Sequence, residues 1–280
     1  MSGSSVRDFM LKLPGKWLAS TRDGLLQPFA ALVRHRHLAK VLLRRDARVR
    51  TSGTLLGALW LLLQPALQIL IFWFLFSVIL GIRFPGHDFS FFHYFILGMI
   101  PWLFINEVLT RNLTVFREFG PLYQRNRFPL LLLPLVTVLF SALIYMAVYA
   151  VVVVFVEGAL RALLAPTLIL GIALWLLPVT YILAVISFFV RDLAQVFRFL
   201  LNFLFYLTPI LYVPDLLPDV MRGLMVFNPV ADMMAVIHHL LQDMPLDWGN
   251  LWRPVLLWGL LLAPSWFLFS RAEPHFREVL

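Results

Sequence analysis

The chain has 280 residues, of which 61% are apolar and only 14% are charged, and it contains 26 Phe and 9 Trp. A water-facing fold of this length could not bury so much apolar surface, so a soluble enzyme, a disordered scaffold and a nucleic-acid binder are excluded. The composition predicts a protein that lies mostly within a lipid bilayer. The absence of cysteine excludes disulfides, thiolate metal ligands and cysteine nucleophiles.

The N-terminal region is polar and basic. Residues 1–30 have weak periodicity and no apolar core, which predicts a cytoplasmic extension with little fixed structure and no cleavable signal peptide. Residues 34–50 place Leu38, Val41 and Leu42 near one helical face, with Lys40 and Arg44 on a basic ridge. This pattern predicts an amphipathic helix on the cytoplasmic leaflet, although a plain polybasic retention signal is the alternative.

Long intervals without Asp, Glu, Lys or Arg define the membrane spans. They predict an all-α polytopic membrane domain over residues 31–275 with six transmembrane helices. The expected spans are about 55–80, 89–110, 128–156, 162–190, 196–214 and 250–270. The last two have the shortest charge-free intervals.

The basic residues predict the orientation of these spans. With the N-terminus inside, 19 of the 23 Lys and Arg residues lie on the cytoplasmic side, because both termini and the second and fourth loops are then cytoplasmic. Lys and Arg are retained in the cytoplasm, so this asymmetry favours an even number of spans with both termini inside.

The segment 215–247 lies outside and is too apolar for an ordinary loop. Its two apolar stretches are separated by Asn228-Pro229 and Asp232, and each is too short to cross a bilayer. Because Pro229 interrupts a helix, we expect two short helices joined by a turn, re-entering the membrane from the periplasmic side. An ordinary extracellular loop is the alternative.

Residues that carry chemistry are scarce. No segment matches GxxxxGK[ST], since Gly15-Lys16 is preceded by Met10 where the motif needs glycine, so we expect no ATPase site and no cofactor in this chain. The adjacent histidines His238 and His239 diverge on a helix, so no metal site is predicted. No catalytic residues are predicted either. Glu107 is expected to pair with Arg111, one helical turn away.

Two predicted spans carry polar and aromatic side chains on one face. The first has Trp60, Gln64 and Gln68 in one stripe, and the fifth has Asn202 and Phe205, followed by Tyr206. Such a stripe indicates either a polar passage or hydrogen bonds between helices. Amides and aromatic rings without acids suit sugars better than ions. We therefore predict that these six residues line a substrate path.

The order of several short motifs resembles the membrane subunit of ABC-2-type exporters, in the group that exports O-antigen, capsular and teichoic-acid polysaccharides. The first span is entered through Arg50, Thr54, Leu56-Gly57, Trp60 and Pro65, although Thr51 replaces the usual aromatic residue. The later motifs are Gly98 with Pro101-Trp102, Arg127-Phe128-Pro129, Arg191-Asp192, Thr208-Pro209-Ile210-Leu211-Tyr212 and Asn228-Pro229. The order holds from about residue 35 to 275.

The resemblance implies a homodimer of six-helix subunits in the bacterial inner membrane. Each subunit would dock a separate ATP-binding subunit, which would hold ATP and Mg, and would move an undecaprenyl-diphosphate-linked glycan to the periplasm. The second cytoplasmic loop would be the coupling helix, with Arg117, Glu118, Phe119, Tyr123, Arg125 and Arg127 exposed to the ATPase. Arg44, Arg45, Arg48 and Arg50 would bind the lipid headgroup at the entrance.

Two other functions remain open at this point. A polytopic transferase acting on a lipid-linked substrate would need carboxylates or histidines that converge on the membrane face, and the cytoplasmic acids after Asp46 are not paired in the sequence. An ABC-2 permease for another lipid or a drug would share the fold and differ only in its substrate.

Overall fold

The computed structural model describes residues 22–24, 26–51, 56–84, 89–125 and 128–279. Most of the N-terminal extension, together with Thr54 and Arg127, lies outside the described residues. Within them the chain is helical and contains no strand. The chain is thus an all-α polytopic membrane protein, as its composition predicts.

The helices follow the expected order. Amphipathic α1 spans Arg36–Thr51, and residues 26–34 before it are also helical. The membrane helices are α2 at Trp60–Trp73, continued by a π-helical stretch at Phe74–Ile79, α3 at Phe91–Asn112, α5 at Leu132–Glu157 and α6 at Leu164–Phe189. Between α3 and α5 lies the short helix α4 at Val115–Arg125. The C-terminal part has α7 at Leu193–Leu207, α8 at Asp219–Met225, α9 at Pro229–Gln242 and α10 at Trp252–Val279.

Five of the helices in the described part are long and apolar enough to cross a membrane. They are Trp60–Ile79, Phe91–Asn112, Leu132–Glu157, Ala159–Phe189 and Trp252–Phe276. Helix α7 has 15 residues. At 1.5 Å per residue it extends for about 22 Å, which is less than the roughly 30 Å hydrocarbon core. A sixth span would therefore need the segment that follows α7.

Helix α3 is the centre of the bundle. It packs against α5, α6, α9, α2 and α7, and most of its residues are buried, whereas α2 has no buried residue. Hydroxyl groups in the core bond to backbone carbonyls of neighbouring elements, as a hydrocarbon environment favours. The Tyr149 hydroxyl donates to the Leu97 carbonyl at 2.8 Å, and the Ser187 hydroxyl donates to the Leu113 carbonyl at 2.7 Å.

Local sequence signals define the outer helices. Asn228 caps α9 by accepting a hydrogen bond from the Val230 amide, and Pro229 occupies the first helical position. Asp243 ends the helix in the left-handed conformation with φ 55°. The Arg161 guanidinium then holds this end, because it donates to the Leu241 carbonyl and pairs with Asp243 and Glu157.

His238 fixes α9 against α3. Its ring stacks on Tyr94 with the ring centroids 3.9 Å apart, and its Nδ1 lies 2.9 Å from Gln242 Oε1. Gly98 permits this approach, since a Cβ there would lie 3.3 Å from His238 Nε2. Burial lowers the pKa of His238 to about 4.

This burial predicts that the protein loses stability in acid. The unfolded chain binds a proton at His238 near the ordinary pKa of 6.5, so stability is fully present above that pH and falls as the pH approaches 4. The apparent melting temperature of the detergent-solubilised protein should therefore drop over this window. His238→Phe should weaken the drop, and His239→Phe, on the partly exposed neighbour, should preserve it. An unchanged pH profile in His238→Phe contradicts this assignment.

Candidate functional site

A charged cluster joins α1, α3 and α5. We define it as Asp46, Arg50, Glu107, Arg111 and Ser141. Arg50 lies 3.0 Å from the Asp46 carboxylate and also pairs with Glu107, and Arg111 reaches the second Asp46 oxygen at 2.6 Å. The Ser141 hydroxyl accepts from Arg50 at 3.1 Å and donates to Glu107 at 2.8 Å. The two carboxylates of the cluster therefore neutralise the charges of its two guanidinium groups.

The expected pairing within α3 is wrong. Glu107 was predicted to pair with Arg111, but it pairs with Arg50 of α1, and Arg111 pairs with Asp46. The physical reason is that α1 packs along α5 and brings a second basic group and a second acid to α3. Two ion pairs that join α1 to α3 therefore replace the single pair expected within α3.

The four predicted entrance arginines differ in their surroundings. Arg44 and Arg48 are exposed at the surface of α1. Arg45 lies over the Phe119 ring at 4.3 Å and donates to the Glu118 carbonyl at 3.4 Å. The side chain of Arg50 is only 5% exposed and belongs to the charged cluster. Only Arg44 and Arg48 of these four are therefore fully presented to a headgroup.

The glutamine stripe of α2 faces a polar cavity of about 360 Å³. Trp60, Gln64 and Gln68 form one wall of this cavity. The opposite wall comes from α3 and from the charged cluster, and it includes Asn106, Thr110, Arg111, Glu107 and Arg50. The cavity is lined by amide, hydroxyl, indole and guanidinium groups, all of which can bond to sugar hydroxyls.

Asn202 of α7 faces a second cavity of about 460 Å³. Arg198, Thr114 and Glu118 line it as well, and three of its residues, Asn106, Thr110 and Arg111, also line the first cavity. The polar faces of α2 and α7 therefore meet the same polar face of α3. The other two predicted path residues lie elsewhere: Phe205 is buried against Phe72 and Trp102, while Tyr206 is exposed.

Sequence reasoning did not identify the polar face of α3. Asn106 and Thr110 are one turn apart, and Glu107 and Arg111 repeat that spacing one position later. Four polar residues within six positions of an otherwise apolar span were the available signal. Asp46 and Ser141 carried no comparable signal, because Asp46 is a lone acid in a basic helix and Ser141 is a lone serine in an apolar span.

The orientation of the predicted coupling helix is also different from the expectation. Phe119 and Tyr123 were expected to face a soluble partner, yet both are buried, at 3% and 4% exposure. Arg45 and Phe128 cover their rings. Arg117 is half-buried and donates to the Ser187 carbonyl. Of the predicted set, Glu118 is exposed, the Arg125 side chain is not described, and Arg127 lies outside the described residues.

The arrangement defines a class of protein before any comparison is made. Within the described ranges no three His, Asp or Glu side chains are grouped as metal ligands. The polar groups instead line cavities between membrane helices and are neutralised by one another. Polar cavities between membrane helices can hold a polar substrate, as they do in membrane permeases.

Known proteins of this class are similar to the chain. No family model matches it. Two O-antigen export system permease proteins RfbA of Klebsiella pneumoniae are 25% and 24% identical over 249 residues, which cover 87% of this chain and 95% of each relative. An RfbA of the same description from Myxococcus xanthus is 29% identical over 213 residues, covering 73% of this chain and 80% of the relative. The resemblance to polysaccharide-export permeases is thereby confirmed.

The charged cluster predicts a large stability defect when its central acid is removed. Asp46 is 2% exposed and forms ion pairs with two arginines. Asp46→Asn therefore removes the ion partner of Arg111 and one of the two ion partners of Arg50. Breaking a buried pair costs about 3 to 5 kcal/mol. Thermal unfolding of Asp46→Asn in detergent should show a much lower midpoint than that of Asp192→Asn, a control at an exposed turn. Equal midpoints for the two variants exclude a supporting role for Asp46.

Proposed function

We propose that the chain is the membrane subunit of an ABC transporter that exports an O-antigen-type polysaccharide across the bacterial inner membrane. The observation that carries this proposal is the similarity to O-antigen export permeases along 95% of the length of two of them. The polar cavities between α2, α3 and α7 support it, because they offer hydrogen-bonding groups to a glycan. The glycan travels linked to undecaprenyl diphosphate.

The subunit works in a larger assembly. Two copies form a homodimer, and each binds a cytoplasmic ATP-binding subunit that holds ATP and Mg and supplies the energy. The motif for a phosphate-binding loop is missing from the sequence, which supports a separate ATPase. The exposed apolar faces of α2 and α7 support the dimer, because α2 has no buried residue within one copy.

The proposed topology has six spans with both termini in the cytoplasm. The fifth span consists of α7 and the residues that follow it up to 214. Helices α8 and α9 then form the re-entrant segment on the periplasmic side. Asn228 supports this arrangement, because its side chain donates to the Leu207 carbonyl and the Thr208 hydroxyl and so ties α9 to the outer end of α7.

Cysteines on both sides of α7 test this topology. The natural chain has none, so Asp192→Cys and Asp215→Cys each provide one exposed thiol. A membrane-impermeant maleimide added to intact spheroplasts should label Asp215→Cys, whereas Asp192→Cys should react only after the cells are opened. Labelling of both from the same side means that α7 does not cross the membrane.

The substrate passage follows the polar face of α3. Gln64 and Gln68 line the cavity on one side, and Asn202 lines the connected cavity on the other. An unsatisfied amide in hydrocarbon costs several kcal/mol, so these amides need partners or water in the resting state. Trp60 at the cavity edge offers a ring face to sugar C–H groups. Weak contacts of this kind allow a polymer to slide.

Removing both amides tests the passage. Gln64→Leu with Gln68→Leu should block export, because the wall then offers no hydrogen bonds, while the protein elutes as a folded complex. Export is measured as glycan on the surface of cells that carry the variant. The control, Leu67→Met with Val78→Leu, changes two exposed positions of the same segment and should export normally. If the double glutamine variant exports normally, or if it dissociates during purification, the glutamines are packing residues and do not line the passage.

The docking surface for the ATPase is the outward face of α4. The buried aromatic side fastens α4 to α1 and α6 through Phe119 and Arg117, and Glu118, Pro121 and Gln124 remain exposed. Helix α4 is thus rigidly held and can transmit a push from a soluble partner to the bundle. This corrected face replaces the aromatic pair as the coupling contact.

A reversed charge on that face tests the coupling. Glu118→Arg should reduce copurification of the ATPase, because it reverses a charge on the docking surface. Copurification is the readout, and export is not, since Glu118 also lines the second polar cavity. Asp215→Arg is the matched control, since it reverses an exposed carboxylate on the periplasmic side. Phe119→Ala should instead destabilise the subunit itself. Full copurification of the ATPase with Glu118→Arg rules out this face of α4.

A further inference from the structure

An aromatic cluster joins α4 to the C-terminal ends of α6 and α10. Its central residue is Phe276 of α10, which is 0% exposed. The ring centroid of Phe276 lies 4.6 Å from that of Phe116 in α4. It also lies 4.8 Å and 5.6 Å from the centroids of Phe188 and Phe189 at the end of α6. One ring of α10 thus fills the space between α4 and α6, and we call these four residues the aromatic joint.

Hydrogen bonds fasten the start of α4 to the end of α6. The Arg117 guanidinium of α4 donates to the Ser187 carbonyl of α6. The Ser187 hydroxyl donates at 2.7 Å to the carbonyl of Leu113, the residue that caps the end of α3. Helix α4 is therefore attached to α6 by polar contacts and to α10 by the ring of Phe276.

Helices α6 and α10 form one stiff pair. The Trp175 indole of α6 donates to the Pro254 carbonyl at 2.8 Å, and the Trp258 indole of α10 donates to the Leu174 carbonyl at 3.0 Å. The aromatic joint fastens the same two helices at their C-terminal ends. With 26 residues, α6 extends for about 39 Å. Because close-packed side chains transmit strain, a displacement at one end of the pair reaches the other.

The opposite end of this pair holds α9. Arg161 lies in the short helix Ala159–Ala162 directly before α6. It pairs with Asp243 at the end of α9 and donates to the Leu241 carbonyl. Helix α10 also packs against α9. The α6–α10 pair therefore contacts α4 at one end and α9 at the other.

We propose that Phe276 is a positioning residue of the transport cycle, which passes a displacement of α4 to the α6–α10 pair and through it to α9. The inference rests on the proposed function, in which α4 receives the push of the ATP-binding subunit. Rings in close contact resist compression, so the aromatic joint moves α10 when α4 moves. At the far end, Arg161 makes α9 follow.

Helix α3 is the competing route from α4 to α9. It precedes α4 in the chain and reaches α9 through Tyr94, whose ring stacks on His238. However, α3 ends at Asn112, and Leu113 and Thr114 form a turn before α4 begins. A turn allows the angle between two helices to change, so α4 can tilt without moving α3. The aromatic joint connects α4 to α10 through packed rings and contains no such turn.

Export per ATP hydrolysed tests the role of the joint. Phe276→Leu keeps an apolar side chain but loses the ring contacts with α4 and α6. The complex with the ATP-binding subunit should still copurify, while export per ATP hydrolysed falls about tenfold, the factor that corresponds to one strong ring contact. A merely structural role would lower the yield of complex and leave this ratio unchanged. The control is Phe267→Leu, the same replacement at an exposed ring of α10, which should keep the natural ratio.

Spin labels test whether the displacement reaches α9. Leu240→Cys on α9 and Leu67→Cys on α2 are exposed, and the natural chain has no cysteine. The labelled full chain is diluted with unlabelled chain in the complex with the ATP-binding subunit. Pulsed electron paramagnetic resonance then gives the distance between the labels without nucleotide and with ATP and vanadate. This distance should differ between the two states in the natural chain, and Phe276→Leu should abolish the difference.

Three results overturn the proposal: a natural export ratio in Phe276→Leu, a label distance that ATP does not change in the natural chain, or a change that persists in Phe276→Leu. A persisting change that Tyr94→Leu abolishes assigns the route to α3. If Phe276→Leu does not assemble, Phe116→Leu removes the same contact from the α4 side and decides in its place. Failure of the natural chain to copurify with an ATP-binding subunit contradicts the proposed function instead, so the two failures are distinguishable.

Discussion

Asp46 is the carboxylate that links α1 to the centre of the bundle. It is almost fully buried and pairs with both Arg50 and Arg111, so one acid joins the amphipathic helix α1 to the central helix α3. Glu107 and Ser141 complete the arrangement by bonding to Arg50 from α3 and α5. A buried charge is tolerated only when it is paired, and in this cluster each charged group has a partner on another helix or turn. The position of α1 therefore follows from electrostatics as much as from its apolar face.

The need to pair buried charges also determines where the polar cavities form. Arg50, Glu107 and Arg111 are fixed by the cluster, and they provide one wall of the space that Gln64 and Gln68 face from α2. Asn106 and Thr110 continue that wall toward Asn202. In hydrocarbon, polar groups gather with other polar groups because isolated ones are costly. The two polar cavities therefore lie along a single face of α3, so the desolvation of polar groups is confined to one place.

Much of the fold was predictable because membrane spans obey a simple rule. Charge-free stretches of about 20 residues must be helices that cross the bilayer, and five of the expected spans have such helices. The stripe of Gln64 and Gln68 was also visible, because it repeats along one helix. Periodicity does not show which neighbouring helix each helix face contacts. Glu107 has one possible partner in its own helix and another on α1, and only the packing of α1 decides between them.

The orientation of α4 illustrates the same limit. An amphipathic helix between two membrane spans has an apolar side, and the sequence does not say whether that side faces the chain itself or a partner. Here Arg45 lies over Phe119 and Phe128 packs against Tyr123, so the apolar side faces inward. The cation–π contact of Arg45 with Phe119 adds to the apolar burial that stabilises this orientation.

Internal neutralisation is also compatible with the proposed transport of an anionic lipid-linked glycan past these basic residues. Two free guanidinium groups in a low-dielectric cavity would bind a diphosphate so tightly that release would limit transport. With Asp46 and Glu107 already paired to them, the two arginines have no net charge left to hold a phosphate. The exposed Arg44 and Arg48 can then attract anionic groups from a distance, where salt screens them and binding is weak. Attraction at the surface and near-neutrality inside together favour movement of the substrate over its capture.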